Sequence, residues 1–301
     1  MNKRFRPVTV LMLAIFIIFG NNSQAGTIKI IDSTNRTVIL KAPARRIVSL
    51  APHLTEMLFS AKAGKYIVGT VHYSDYPLEA KKIPQVGGYH QLDLEKIYAL
   101  QPDLIVAWAG GNEKHEVQML MDLDIPVFIS DPHRVVDIVT EIETLSKLTA
   151  TDKQTAPLLK KLHKRWNSLA TYSTRTPKLR VFYQLWNSPI MTINREHIIN
   201  DVIRQCGGVN PFGDLPILIP RISKESVIEA NPDVIIASGM SEERPDWLKK
   251  WENWNQLTAV KTNHLFFIPP DIIQRQSSRI LEGAEMLCNM LEKARHDVTK
   301  Q

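Results

Sequence analysis

Two tyrosines stand beside histidines, His72-Tyr73 in HYSDYP and Tyr89-His90 in GGYHQ. Two tryptophans close apolar runs, Trp108 in LIVAW and Trp186 in LRVFYQLW. Tyrosine and tryptophan offer large amphipathic faces at low rotamer cost, which suits capture of a large rigid ligand. Tyr73 or Tyr89, with a histidine neighbour, could also supply an axial ligand to iron. Arg275, in PPDIIQRQ, could hydrogen-bond amide or carboxylate edges. Direct binding of Zn or Mn would need three or four ligands to converge, and His53, His72, His90 and Asp271 are the candidates. Each aromatic also has a plain reading as a core residue; Trp108, ending a buried strand, fits both. The chain contains no G-x-S-x-G elbow, no H-E-x-x-H and no G-x-x-x-x-G-K-S/T. Capture of a ligand, with no catalysis, is the expected activity.

The elements that must position these residues alternate. TIKIIDSTNRTVIL reads as a β-hairpin around a polar turn. RRIVSLAP is a strand entering a helix, HLTEMLFSAKAG, that ends at glycine, and YIVGTVHY is the next strand. YPLEAKKIPQVGGYHQ is a Pro- and Gly-rich loop. Asp93 caps a helix with Leu94, Ile97 and Leu100 on one face, Pro102 ends it, and LIVAW is an apolar run suited to a parallel sheet covered on both sides. NEKHEVQMLMDL and IPVFIS add a helix and a strand. Residues 152–172 place Leu158, Leu159, Leu162, Trp166 and Leu169 at helical spacing, a helix of about 30 Å. The alternation then restarts with LRVFYQLW, HIINDVIRQCGG, a helix capped by Ser223, the strand VIIAS, a helix PDWLKKWENW, the strand HLFFIPP and a helix over 280–298.

LEKIYALQPDLIVAW (94–108) and KESVIEANPDVIIAS (224–238) share one pattern: Glu second, Pro-Asp ninth and tenth, then an apolar run. One capped helix plus one buried strand, written twice, indicates two similar α/β lobes with a helix between them.

The formal net charge of +6 overstates the basic character. Lys3, Arg4 and Arg6 precede the apolar run VTVLMLAIFIIFG and the small-residue site Ser23-Gln24-Ala25, the form of a secretory leader. Cleavage between Ala25 and Gly26 lowers the charge from +6 to +3. The remaining basic residues are scattered, so no nucleic-acid partner is expected. No cysteine follows the apolar run, so no lipid anchor is expected, and because that run is short for a membrane span and leaves with the leader, no membrane insertion of the mature chain is expected. An exported chain with an even number of cysteines favours a disulfide, here Cys206–Cys288.

RRIVSLAPHLTE, GTVHYSDYP, QVGGYHQLDLEKIYALQPDLIVAWAGGN, CGGVNPF and ISKESVIEANPDVII resemble the class III solute-binding proteins of ABC importers, over roughly residues 46–290. Within that family the vitamin B12-binding branch is most similar, while the leading hairpin looks more like the siderophore and haem branches. The resemblance implies an α/β fold of two Rossmann-like lobes joined by one long rigid helix, with the ligand cleft between them. The expected divisions are a leader (1–25), a first lobe (26–150), the interlobe helix (151–174) and a second lobe (175–301). It implies a soluble periplasmic monomer that carries cobalamin, with haem or an iron-siderophore as the alternative, to a permease dimer with its ATPase subunits. No resident cofactor or metal is implied.

By the same resemblance, Tyr73, Trp108, Asp271 and Arg275 fall on ligand-contact positions. Tyr89 and Met191 stand where the branch has tryptophan and phenylalanine, and Ile219 and Ile272 replace aromatic residues. Trp186 is expected at the cleft from its place at a strand end. Glu95 and Glu225 are matching residues of the repeat, and the resemblance implies that they dock on arginines of the two permease subunits. A carboxylate in a first helical turn also favours the helix dipole, by about 0.3–1 kcal/mol.

Overall fold

The computed structural model describes residues 26–239 and 243–298, so the leader and its cleavage site up to Ala25 lie outside the described residues. The leading hairpin forms as expected, β1 (Ile28–Ile31) pairing antiparallel with β2 (Thr37–Leu40). The first lobe continues with β3 (Ile47–Ser49), α1 (Pro52–Ser60), β4 (Ile67–Thr70) and a small hairpin, β5 (Gly87–Gly88) with β6 (Gln91–Leu92). After it come α2 (Leu94–Ala99), β7 (Leu104–Trp108), α3 (Lys114–Asp122) and β8 (Val127–Ser130). Three helices cross to the second lobe: α4 (Val135–Leu148), α5 (Asp152–Ser168) and α6 (Ala170–Ser173).

The second lobe starts with β9 (Leu179–Gln184) and a hairpin of β10 (Trp186–Asn187) with β11 (Ile190–Met191). It continues through α7 (Ile198–Gln205), β12 (Gly208–Val209), α8 (Lys224–Ala230), β13 (Val234–Ala237) and α9 (Thr258–Lys261). It ends with β14 (Leu265–Phe267), α10 (Pro270–Ile273) and α11 (Ile280–Val298). Residues 246–253, expected as an α-helix, wind as a 3-10 helix.

The two parallel sheets have the same topology. The first runs β4-β3-β7-β8 and the second β12-β9-β13-β14. In both, the first strand to appear lies between the second and third. The repeated sequence supplies the third strand and the helix before it, and its Pro-Asp has a common task. Asp103 accepts from the backbone N–H of Arg45 (2.7 Å) and Arg46 (2.9 Å), and Asp233 accepts from that of Arg180 (2.7 Å). Each aspartate thus pins the start of the first strand to the start of the third. Arg46 Nε then donates to the Leu100 carbonyl at the end of α2 (3.0 Å), and Arg180 donates to the Ala230 carbonyl at the end of α8 (3.3 Å). A guanidinium at a helix C-terminus satisfies orphan carbonyls and opposes the dipole. At the other end, Asp93 and Ser223 accept from the N–H of Lys96 and Ser226, both at 3.0 Å.

Strand residues alternate between cores. On β7, Leu104 and Val106 face a core shared by both lobes, whereas Ile105 and Ala107 face a core of the first lobe alone. On β9, Val181 and Tyr183 join the shared core and Phe182 packs with Trp251 and Leu257 on the outer side of the second lobe. The shared core takes in α1, α4, α7, α11 and the Leu162–Trp166 face of α5. The crossing is therefore packed helix on helix. It is also longer than the single helix read over 152–172: α4 and α5 both take part, and α5 tightens at Leu169, whose N–H bonds back three residues to Trp166, before α6 begins. Cys206, capping α7, is disulfide-bonded to Cys288 on α11 inside this core. No helix among the described residues is long and apolar enough to cross a membrane.

Candidate ligand-binding site

In open α/β sheets the carboxyl ends of the strands present side chains to a crevice. Here both sheets do so across one gap. His53 after β3, Trp108 at the end of β7 and Asp131 after β8 line it from the first lobe, and Leu185 after β9 lines it from the second. His197, Leu218, Ile219, Gln274 and Gln276 complete the second wall, around a cavity of about 260 Å³.

Trp108 is held from several sides. Its backbone N–H donates to Asn112 Oδ1 (2.7 Å), and Asn112 Nδ2 donates to the carbonyls of Leu50 (2.8 Å) and Tyr89 (2.9 Å). One buried asparagine thus ties the ends of β3 and β7 to the Tyr89 loop. The indole meets His53 edge to face, centroids 5.0 Å apart, and lies 6.1 Å from the Tyr89 ring. A Cβ at Gly111 would stand 2.1 Å from the indole, so the backbone after β7 passes this close only without a side chain. Gly87, with φ +104°, makes the turn that presents Tyr89. Tyr73 is 72% exposed and, with His72, Tyr89, His90 and Glu95, lines a wider surface bowl of about 970 Å³ on the first lobe.

Trp186 and Met191 face each other as a pair on the β10–β11 hairpin, next to the cleft-lining Leu185. Trp186 is 38% exposed and its indole N–H donates to the Ser188 carbonyl.

Arg275 and Asp271 are brought together, but their partners are protein groups. Arg275 bonds Glu56 (3.0 Å), Asp75 (2.7 Å) and Asp271 (3.0 Å). Glu56, on α1 and only 2% exposed, also receives Arg279 (2.6 Å) and the Ser277 hydroxyl (2.6 Å), and Arg279 lies over the Tyr76 ring. The result is a clasp between lobes, with Glu56 and Asp75 on one side and Asp271, Arg275 and Arg279 on the other. Burial works against the Arg279 charge, but the Glu56 carboxylate outweighs it and raises its pKa. Burial likewise opposes ionisation of Asp75, and Arg275 outweighs that, lowering its pKa.

Two histidines at the cleft are neutral. Burial, with the charge of Arg275, lowers His53 to about 3. Burial, with His133 nearby, lowers His197 to about 4. Among the described residues, His53, His72, His90 and Asp271 form no group able to hold a metal ion.

The model of the family described as periplasmic binding protein matches residues 47–272. The chain belongs to this family.

As a periplasmic binding protein it has named relatives over most of its length. A vitamin B12-binding protein of Vibrio cholerae is 33% identical over 252 residues, covering 84% of this chain and 91% of the relative. The crystal structure of the periplasmic vitamin B12-binding protein of Vibrio cholerae superposes with a TM-score of 0.77 at 32% identity, covering 84% of this chain and 98% of that one. A periplasmic haem-binding protein from Roseiflexus shares the fold, with a TM-score of 0.71 at 20% identity over 83% of this chain and 99% of that one.

Several cleft residues of this binding protein escaped the sequence reading. His197, Gln274, Gln276 and Leu218 sit in loops or at helix starts without a local pattern. Glu56 did leave a trace: an acid inside the otherwise apolar helix HLTEMLFS, where a buried carboxylate demands a partner. Glu95 and Glu225 are both exposed second residues of matching helices, α2 and α8.

Proposed function

We propose that this periplasmic binding protein captures a corrinoid, vitamin B12, between its lobes and delivers it to an ABC import permease. One observation carries the reading: about one third identity to proteins named for vitamin B12 binding, across nearly the whole folded chain. The site chemistry is consistent with it. Trp108 presents an aromatic face to the cleft with the Tyr89 ring 6.1 Å away, Tyr89 and Tyr73 line the bowl on the first lobe, and Trp186 with Met191 stands beside the cleft-lining Leu185 of the other lobe. Asp271 and Arg275, engaged in the clasp, act by setting the lobe arrangement around the ligand. The cavity of about 260 Å³ is smaller than the ~300–1,000 Å³ of sites for drug-sized ligands, so a macrocycle enters with the lobes further apart.

The leader directs export, cleavage leaves Gly26 as the first residue, and the mature monomer works in the periplasm. Glu95 and Glu225 dock on the permease dimer, one per lobe. The test is calorimetric and visible titration with cyanocobalamin and haemin. One-to-one binding of cyanocobalamin is expected, and Trp108→Ala should weaken it by about 1–3 kcal/mol. Tight haemin binding with a Soret shift, and no heat with cyanocobalamin, would refute the reading.

A further inference from the structure

Two buried polar atoms at the cleft have no hydrogen-bond partner among the described residues: His53 Nε2 and Gln276 Oε1. They belong to opposite lobes. His53 is the second residue of α1, Gln276 lies in the turn between α10 and α11, and both side chains line the interlobe cavity. His53 is 5% exposed. Its imidazole is neutral, so one ring nitrogen carries a hydrogen and the other a lone pair. Gln276 Oε1 is an acceptor. A buried polar group without a partner is costly, and native folds keep few of them. Two that meet at one cleft from separate lobes point to a ligand that completes them.

The surroundings define which ligand. The cavity lining includes Asp131 and Glu196 and, among the described residues, no lysine or arginine. Arg275, one residue before Gln276, is enclosed by Glu56, Asp75 and Asp271. A carboxylate entering here meets the Gln276 acceptor and the acids Asp131 and Glu196, with donors only from amide and imidazole groups, of which His133 already bonds Asp131. A primary carboxamide meets complementary groups: it donates N–H to Gln276 Oε1, and the imidazole can bond either its oxygen or its second N–H. Corrinoids carry such amides around the ring edge, whereas haem carries carboxylates.

We propose that His53 and Gln276 form a reader, split between the lobes, for the neutral carboxamide edge of the ligand, and that this pair makes the cleft select corrinoids over anionic macrocycles. The inference rests on the function proposed above.

The test titrates the mature chain with cyanocobalamin, with each cobalamin monocarboxylate in which one peripheral amide is hydrolysed, and with haemin. Wild type, His53→Phe and Gln276→Leu are compared, with thermal unfolding followed in parallel. Wild type should bind cyanocobalamin at least about tenfold more tightly than one of the monocarboxylates, the size of one lost buried hydrogen bond. Each variant should lose about tenfold for cyanocobalamin and most of that preference. Neither should unfold earlier, since an apolar group replaces an unpaired polar one. Equal affinity for cyanocobalamin and every monocarboxylate, or variants that bind as wild type, overturns the reader and leaves the proposed function standing. Haemin bound in place of cyanocobalamin overturns both.

Discussion

Replacing Glu56 with glutamine removes the charge at the centre of the clasp while keeping the side-chain volume. Glu56 accepts from Arg275 at 3.0 Å, from Arg279 at 2.6 and 2.9 Å, and from Ser277 at 2.6 Å. The carboxylate is nearly inaccessible, and the Arg275 and Arg279 side chains are only 16% and 12% exposed. Breaking a buried ion pair by removing one partner costs about 3–5 kcal/mol, because the other charge stays buried. Arg275 keeps Asp75 and Asp271, and Arg279 keeps Asp271 at 3.6 Å and the Tyr76 ring. Those remaining partners place the cost near the lower limit, about 3 kcal/mol. At about 2–4 °C per kcal/mol for a chain of this class, Glu56→Gln should unfold roughly 6–12 °C earlier. Thermal unfolding followed by circular dichroism measures it. Because the group is buried, the difference should persist at high salt. A shift under about 2 °C, or one that vanishes in salt, would show that the clasp holds nothing and that each arginine is satisfied without Glu56.

The other predictions concern separate parts of the molecule. The Cys206–Cys288 bridge spans 82 residues, and losing that loop constraint costs at most about 4.5 kcal/mol on the chain-entropy model; chemical denaturation of the Cys206→Ala, Cys288→Ala double variant should show a loss of about 2–4 kcal/mol. Changing both Glu95 and Glu225 to alanine should leave cyanocobalamin affinity intact and slow uptake by reconstituted importer vesicles, more so at low salt; unchanged uptake with a lower unfolding temperature would return both residues to helix capping. Arg165, through its hydrogen bond and charge, holds Glu285 below the 4.5 of a free glutamate. A carboxylate with a depressed folded-state pKa stabilises above its unfolded pKa, and that contribution disappears as pH falls through the folded value. The stability gap between wild type and Glu285→Gln should therefore be widest near neutral pH and close in acid, and a gap that grows in acid would contradict the assignment.

Much of the architecture is legible in the sequence itself. Period-2 and period-3.6 patterns, the Asp93 and Ser223 caps and the glycine and proline stops are local, so they located the hairpin, the parallel strands except the two-residue β12, and most helices. The repeat was also local, and it announced two similar lobes. With two cysteines in a chain read as exported, the bridge had a single possible pairing. The site was legible only in part: Trp108 and Tyr89 stood out by type and place, yet the asparagine that joins them did not.

What only the tertiary structure decided depends on residues far apart in the chain. Glu56 meets Arg275 across 219 residues, and His53 shares a cleft with Gln276 from the opposite lobe. Arg275 is expected to contact the ligand from its charge and its place in the family pattern, and only the fold shows the three carboxylates gathered around it. Local patterns record which face of a helix or strand must leave water. They carry no record of which distant group will lie opposite, and for a buried charge or an unpaired amide that neighbour sets the energy and hence the function.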